Sequence, residues 1–76
     1  MSVKLYSTPS CRYCVMAENF LRQQKIPFQK FDVSRDQRRA DEMLRKSGQA
    51  GVPVLDVRGK ILVGFRQDDI LAAYRR

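Results

Sequence analysis

The stretch that decides the fold is Val3-Lys4-Leu5-Tyr6-Ser7-Thr8-Pro9-Ser10-Cys11-Arg12-Tyr13-Cys14. Its first five residues read as a short strand, with Val3 and Leu5 alternating against Lys4 and Tyr6. Pro9 cannot continue a ladder, and Ser10 is placed to cap a helix. Beyond it the period changes. Cys14, Ala17, Phe20 and Leu21 recur at three- and four-residue spacing, while Glu18, Asn19, Arg22 and Gln23 take the other side. This amphipathic stretch, from about Val15 to Lys25, is ended by Ile26-Pro27. Both cysteines of the chain thus form a Cys-x-x-Cys pair at a strand-to-helix junction, in a sequence without histidine. That is a redox signature first and a metal signature second.

Working outward, Phe28 to Val33 reads as a second strand, and two strands joined by a helix of this length pair in parallel. Ser34-Arg35-Asp36-Gln37 matches a capping box with Ser34 at the cap. The helix it opens runs to about Lys46, is expected to bury Ala40, Met43 and Leu44, and stops at Ser47-Gly48. Gly51 to Val57, the Arg58-Gly59 turn and Lys60 to Val63 read as a hairpin whose turn type is open. Gly64-Phe65-Arg66 leads into a last helix carrying Ile70, Leu71 and Tyr74. Asp68 and Asp69 fall in its first turn and Arg75 and Arg76 in its last, as the helix dipole favours. The order β-α-β-α-β-β-α describes one small α/β domain over residues 1–76, with a four-stranded mixed sheet.

Seventy-six residues with 43% hydrophobic content support one core, and a chain of this size buries only about 60% of its unfolded surface. No apolar run approaches the roughly 18 residues of a membrane span, and Met1-Ser2-Val3-Lys4 lacks the apolar core of a secretory signal. The expected location is the cytoplasm, where thiols are kept reduced and paired cysteines are catalytic more often than structural. The net charge of +7 is spread along the chain, and acids interrupt its densest group, Arg35 to Arg39. No nucleic-acid recognition motif accompanies it, so the charge is assigned to solubility and to attraction of acidic protein partners. Neither nucleic acid nor membrane is expected as a partner, and the chain is expected to be a monomer.

Thiol–disulfide exchange needs a thiolate that attacks and a second thiol that resolves the mixed disulfide. Cys11 lies at the helix N-terminus, where free backbone N–H groups, the positive end of the dipole and the Arg12 charge favour a negative sulfur. Cys14, one turn deeper on the face of Ala17 and Leu21, is the resolver. Two other readings of the pair remain. A zinc or iron–sulfur carrier would need two chains to share their cysteines, since no histidine or third cysteine is present; a static disulfide would need an oxidising compartment. Pro53, after Gly51-Val52, suits either a cis peptide bond or an ordinary edge-strand proline. In the first case the Val52 backbone would face an extended peptide beside Cys11.

Three stretches, Tyr6-Ser7 leading to Cys11-Arg12-Tyr13-Cys14, then Ser47-Gly48-Gln49-Ala50-Gly51-Val52-Pro53, then Gly64-Phe65-Arg66-Gln67-Asp68-Asp69, resemble the glutaredoxin family of the thioredoxin fold. The resemblance covers essentially the whole chain. It implies a central sheet flanked by three helices, a cis proline at Pro53 facing Cys11, and dithiol–disulfide oxidoreductase activity with no bound cofactor and no metal. It also places Tyr13, Gln49 and Asp69 at positions similar to glutathione contacts. Several residues depart from the family pattern. Arg12 stands where a proline is usual, Thr8 where a lysine or arginine holds a glutathione carboxylate, and Gly51 where a threonine precedes Val-Pro. Phe65 replaces the second glycine before the last helix. Arg12 could partly replace the missing upstream cation. The Gly-Phe-Arg-x-Asp stretch instead looks like the glutaredoxin-like redoxins that thioredoxin reductase reduces and that serve ribonucleotide reductase. The expected electron donor is thus thioredoxin reductase or glutathione, and the expected substrate a disulfide-bearing protein. Phe65 either packs into the core or staples the last helix, filling space that a glycine would leave as a groove.

Overall fold

Strand β1 (Val3–Ser7) lies inside the sheet because both of its faces are apolar. Val3 and Leu5 turn to one side and Tyr6 to the other, and all three are fully buried. Tyr6 is therefore no partner of Lys4 on a wet face, as simple alternation suggests. In the computed structural model, which describes residues 3–75, β2 (Phe28–Asp32) pairs parallel to β1 and β3 (Val54–Val57) antiparallel to it. Strand β4 (Lys60–Val63) adds to β3, giving the mixed order β2-β1-β3-β4. The helices are α1 (Arg12–Gln23), α2 (Gln37–Ser47) and α3 (Gln67–Tyr74). This is the thioredoxin-like β-α-β-α-β-β-α arrangement expected from the sequence. Arg76, expected in the last turn of α3, lies outside the described residues.

The two faces of the sheet are unequal. Helices α1 and α3 cover one with a cluster that includes Leu5, Phe20, Leu21, Leu55 and Ile70. Helix α2 covers the other with a smaller cluster of Tyr6, Met43 and Val54. Burial of such side chains stabilises by about 1.5–3 kcal/mol each, so the first face holds most of the hydrophobic stability.

Three local expectations are corrected. Helix α1 begins earlier, at Arg12, and its cap is Cys11 rather than Ser10, with extended backbone (φ −89°, ψ 115°) and a sulfur that accepts from the Cys14 N–H. It also ends earlier: Lys25 takes the left-handed conformation (φ 57°), and the Ile26 N–H reaches the Leu21 carbonyl at 3.0 Å in a Schellman closure. The cap of α2 is Asp36, whose Oδ1 accepts the Arg39 N–H at 3.2 Å, and not Ser34. Ser34 is used one turn earlier, where its hydroxyl and its N–H both donate to Asp32 Oδ1 and close a turn after β2. The Ser34 hydroxyl is the main reason the Asp32 carboxyl is held below the usual carboxylate value.

The third correction concerns the phase of α2. Met43 is buried, but Ala40 is half-buried and Leu44 is 49% exposed. The inward stripe runs instead through Arg39, Glu42, Met43 and Lys46, because polar groups under the helix take positions that an apolar count assigns to Leu44. The helix stops as expected at Gly48 (φ 75°), whose N–H returns to the Leu44 carbonyl at 2.8 Å. In the hairpin, Arg58 (φ 54°) and Gly59 (φ 94°) both have positive φ, the pattern of a type I′ turn, and Asp56 Oδ1 accepts the Gly59 N–H at 2.9 Å.

Candidate active site

Cys11 caps α1 and Cys14 sits one turn inside it, so backbone geometry alone brings the pair together. The Cys14 N–H donates to Cys11 Sγ at 3.2 Å. A backbone donor aimed at sulfur stabilises negative charge there more than it stabilises a neutral thiol, and the N-terminus of α1 adds its dipole. Both thiols are free, Cys11 partly open and Cys14 only 2% exposed. Burial, followed by the hydrogen bond and charge of Cys11, pushes the Cys14 thiol up to about 12. The geometry therefore separates the roles: one sulfur is accessible and hydrogen-bonded as an acceptor, and the other is a buried, protonated thiol waiting behind it. A cleft bounded by Thr8, Pro9, Glu18, Lys30 and Asp32 reaches the Cys14 side of the motif.

The remaining residues singled out from sequence fall in three places. Arg12 and Tyr13 follow Cys11 on α1 and both are exposed, Tyr13 to 59%. Gln49, Val52 and Pro53 lie in the loop between α2 and β3. The Val52–Pro53 peptide bond is cis, and Pro53 is buried while Val52 is half-buried. Among the described residues neither the N–H nor the C=O of Val52 takes a hydrogen-bond partner, whereas the Pro53 carbonyl accepts the Gly64 N–H at 2.9 Å. Gln49 is turned back on its own loop, its Nε2 donating to the Gly51 carbonyl at 3.2 Å. Asp69, exposed in the first turn of α3, lines a groove with Lys60 and Leu62 of β4 and shares no described hydrogen bond with the cysteine motif. Phe65 packs edge-to-face on Phe20 with ring centroids 5.8 Å apart and joins the larger core cluster.

One group of residues escaped the sequence reading. Tyr6, Arg39, Glu42, Lys46 and Asp56 form a continuous polar network beneath α2. The signal that could have found it is a Glu42–Lys46 pair at i,i+4 on the phase of Met43, facing a tyrosine in a strand that is otherwise apolar.

An accessible N-cap cysteine with a buried partner on the next turn, on a thioredoxin-like fold, defines a thiol–disulfide oxidoreductase. Comparison with known proteins narrows the class. The glutaredoxin family model matches residues 3–62, and the chain belongs to the glutaredoxin family. It is 38% identical over 68 residues to an uncharacterized glutaredoxin-like 8.6 kDa protein in the rubredoxin operon of Clostridium pasteurianum, covering 90% of this chain and 91% of that one. Among solved structures it resembles the glutaredoxin from Archaeoglobus fulgidus with a TM-score of 0.90 at 19% identity, over 99% of this chain and 87% of that one. It also resembles the glutaredoxin-like protein NrdH-redoxin from Escherichia coli, with a TM-score of 0.81 at 26% identity over 95% and 93% of the two chains. The similarity to NrdH-redoxin supports the glutaredoxin-like redoxin subtype.

Proposed function

We propose that this protein reduces protein disulfides and draws its electrons from thioredoxin reductase rather than from glutathione. Cys11 Sγ attacks one sulfur of the substrate disulfide, forming a mixed disulfide and releasing the other sulfur as a thiolate that takes up a proton. Cys14 then loses its proton and attacks Cys11 Sγ. The second substrate thiol leaves, and the two electrons have passed from the Cys11–Cys14 dithiol to the substrate. The Val52 backbone groups, free of partners among the described residues, suit a strand-like contact with an extended substrate segment, and the family resemblance implies that this contact faces Cys11.

The choice of donor rests on Phe65. The family resemblance implies a glycine there whose backbone approaches the γ-glutamyl end of glutathione, whereas this chain carries a bulky ring fixed against Phe20. Gln49, spent on the Gly51 carbonyl, and Thr8, which carries no charge, agree with weak glutathione recognition. The substrate class is a cytoplasmic disulfide-bearing protein, with ribonucleotide reductase the first to test, and no bound cofactor or metal takes part. The rival, a metal shared between the cysteines of two chains, asks both sulfurs to reach a partner, which the burial of Cys14 opposes.

The deciding experiment oxidises the protein and follows NADPH consumption, first with thioredoxin reductase and then with glutathione plus its reductase. Turnover with the first and little with the second is expected. Faster turnover through glutathione would overturn the assignment of the donor. Metal that co-purifies in proportion to a dimer would favour the rival.

A further inference from the structure

The charged groups under α2 take no part in the thiol chemistry, yet they converge on one ammonium. Lys46 Nζ donates to Asp56 Oδ2 at 2.7 Å, to Tyr6 Oη at 3.0 Å and to Glu42 Oε2 at 3.5 Å. Its three protons thus have three acceptors. Tyr6 passes its own proton into a hydrogen bond with Glu42, so the phenol is both donor and acceptor. Arg39 secures Glu42 from the other side at 2.9 Å, with its guanidinium 3.9 Å from the centre of the Phe31 ring.

The position of this network in the chain is what gives it a use. Lys46 is in the last turn of α2 and Asp56 is in β3. Between them runs the loop that carries Gln49, Val52 and Pro53. One ion pair therefore ties together the two ends of the 48–53 segment. The clasp is fixed at both sides. Asp56 spends its other oxygen on the Gly59 N–H at 2.9 Å, and Ser47 Oγ lies 2.7 Å from the Met43 carbonyl oxygen and 2.9 Å from that of Gln49. The apolar cluster under α2 is the smaller of the two, with Tyr6, Met43 and Val54 buried and Phe31, Val33, Val52 and Ile61 packed around them, so the polar network shares in setting the height of the helix over the sheet.

We propose that Lys46 is a positioning residue for substrate docking: by bridging Asp56 and Tyr6 it fixes where the 48–53 loop stands, and so tunes recognition of disulfides presented on a polypeptide. Burial works against the Lys46 charge, but the hydrogen bonds to Asp56 and Tyr6 outweigh it and hold the group above the ordinary lysine value. Lys46 therefore stays charged throughout the neutral range. The proposal rests on the reading that protein disulfides dock along this loop. It predicts a split between substrates, since a small disulfide reaches Cys11 without using the loop.

The test compares wild type, Lys46→Met, Asp56→Asn and the double variant, with insulin as the protein disulfide and bis(2-hydroxyethyl) disulfide as the small one. Lys46→Met is expected to raise KM for insulin about tenfold, which corresponds to about 1.4 kcal/mol of lost docking free energy. Its kcat, its rate with the small disulfide and the alkylation rate of Cys11 stay within about twofold of wild type. Asp56→Asn gives the same KM effect, and the double variant adds nothing to either, because the two share one interaction. Lys46→Arg, which can still bridge, recovers part of the loss. If Lys46→Met does not fold, Tyr6→Phe removes one of the Lys46 acceptors together with the donor to Glu42, leaves the Lys46–Asp56 pair, and is expected to give a smaller rise of the same kind. An unchanged KM, a parallel loss with both substrates, or additive effects in the double variant would each overturn the proposal. Wild-type protein inert toward insulin would instead overturn the reading on which it rests.

Discussion

Titrating the reduced protein into alkali tests the division of labour between the two cysteines. Cys14 is pushed up to about 12 from an ordinary 9.0 by burial first, and then by its hydrogen bond with Cys11 and the charge there. Below pH 9 the thiol is protonated in both the folded and the unfolded chain, and its burial costs nothing in ionisation. Above that pH the unfolded chain releases the proton while the folded protein keeps it. The folded state then binds more protons, so stability must fall as pH rises, until the folded thiol itself ionises. Three pH units at about 1.36 kcal/mol each set an upper bound of about 4 kcal/mol. That is a large share of the 5–15 kcal/mol typical of a domain, and more than enough to measure. Tyr6 also titrates upward, mainly from burial, so a control is required that leaves it alone. Urea denaturation of wild type and Cys14→Ala at pH 7, 9, 10 and 11 provides it. The wild-type midpoint is expected to fall more steeply above pH 9, with the excess absent in the variant. Parallel curves would refute the reasoning. An independent readout comes from alkylation. At pH 7 a thiol with a value of about 12 is ionised to about one part in 10⁵, so iodoacetamide should label Cys11 long before Cys14. Equal labelling rates would refute it as well.

Three further outcomes can be checked directly. Cys11→Ser is expected to abolish disulfide reduction, while Cys14→Ser still attacks and accumulates a mixed disulfide visible by mass spectrometry; residual turnover of Cys11→Ser at the wild-type rate would remove Cys11 as nucleophile. Asp36→Ala is expected to cost about 1 kcal/mol in urea unfolding through loss of the α2 cap, and more than Ser34→Ala does. The reverse order would restore the capping box to Ser34. Lys25→Gly relieves a left-handed residue at the end of α1 and is expected to raise stability by roughly 0.5 kcal/mol, because the relief of about 1–2 kcal/mol is partly offset by the greater freedom of glycine when unfolded.

Most of the fold was legible because its elements carry strong periodic signals. Ala17, Phe20 and Leu21 mark α1, the alternation of β3 with the Arg58-Gly59 turn marks the hairpin, and Ser47-Gly48 marks the end of α2. The cysteine pair was legible for a similar reason: three-residue spacing on a helix leaves little freedom in where two sulfurs can be. What was not legible depended on choices between neighbours of equal chemistry. Ser10 and Cys11 can both cap α1, and Ser34 and Asp36 can both cap α2. The backbone settled each in favour of the later residue, since turns before the helix use the earlier one in α2 and the strand-to-helix bend reaches Cys11 in α1. The polar network under α2 was invisible for a different reason. Lys46, Glu42 and Arg39 read as a solvated face on any apolar count, and only Tyr6, buried on the far side of β1, reverses that assignment.

The unequal faces of the sheet bear on how such a small protein supports the cysteine pair and the 48–53 loop. Cys11 and Cys14 ride on α1, which is seated in the larger core through Ala17, Phe20 and Leu21. The docking loop hangs from α2, which buries little beyond Met43 and is held by Lys46, Glu42 and Arg39. The network is only partly buried, and replacing ion pairs withdrawn from water with well-packed apolar residues is often neutral or stabilising, so stability alone does not explain it. Hydrogen bonds fix distance and direction, whereas a short apolar seam allows α2 to slide over the sheet. A slide would leave the sulfurs in place, because their geometry is set within α1, but it would shift the α2 end of the 48–53 loop against Pro53, which the Gly64 N–H holds to the sheet. The reacting sulfurs and the 48–53 loop are therefore carried on separate supports. On the docking proposal, substitutions in the Tyr6–Glu42–Lys46–Asp56 set are expected to change KM for protein disulfides, and substitutions in the α1 core to lower the stability of the whole fold.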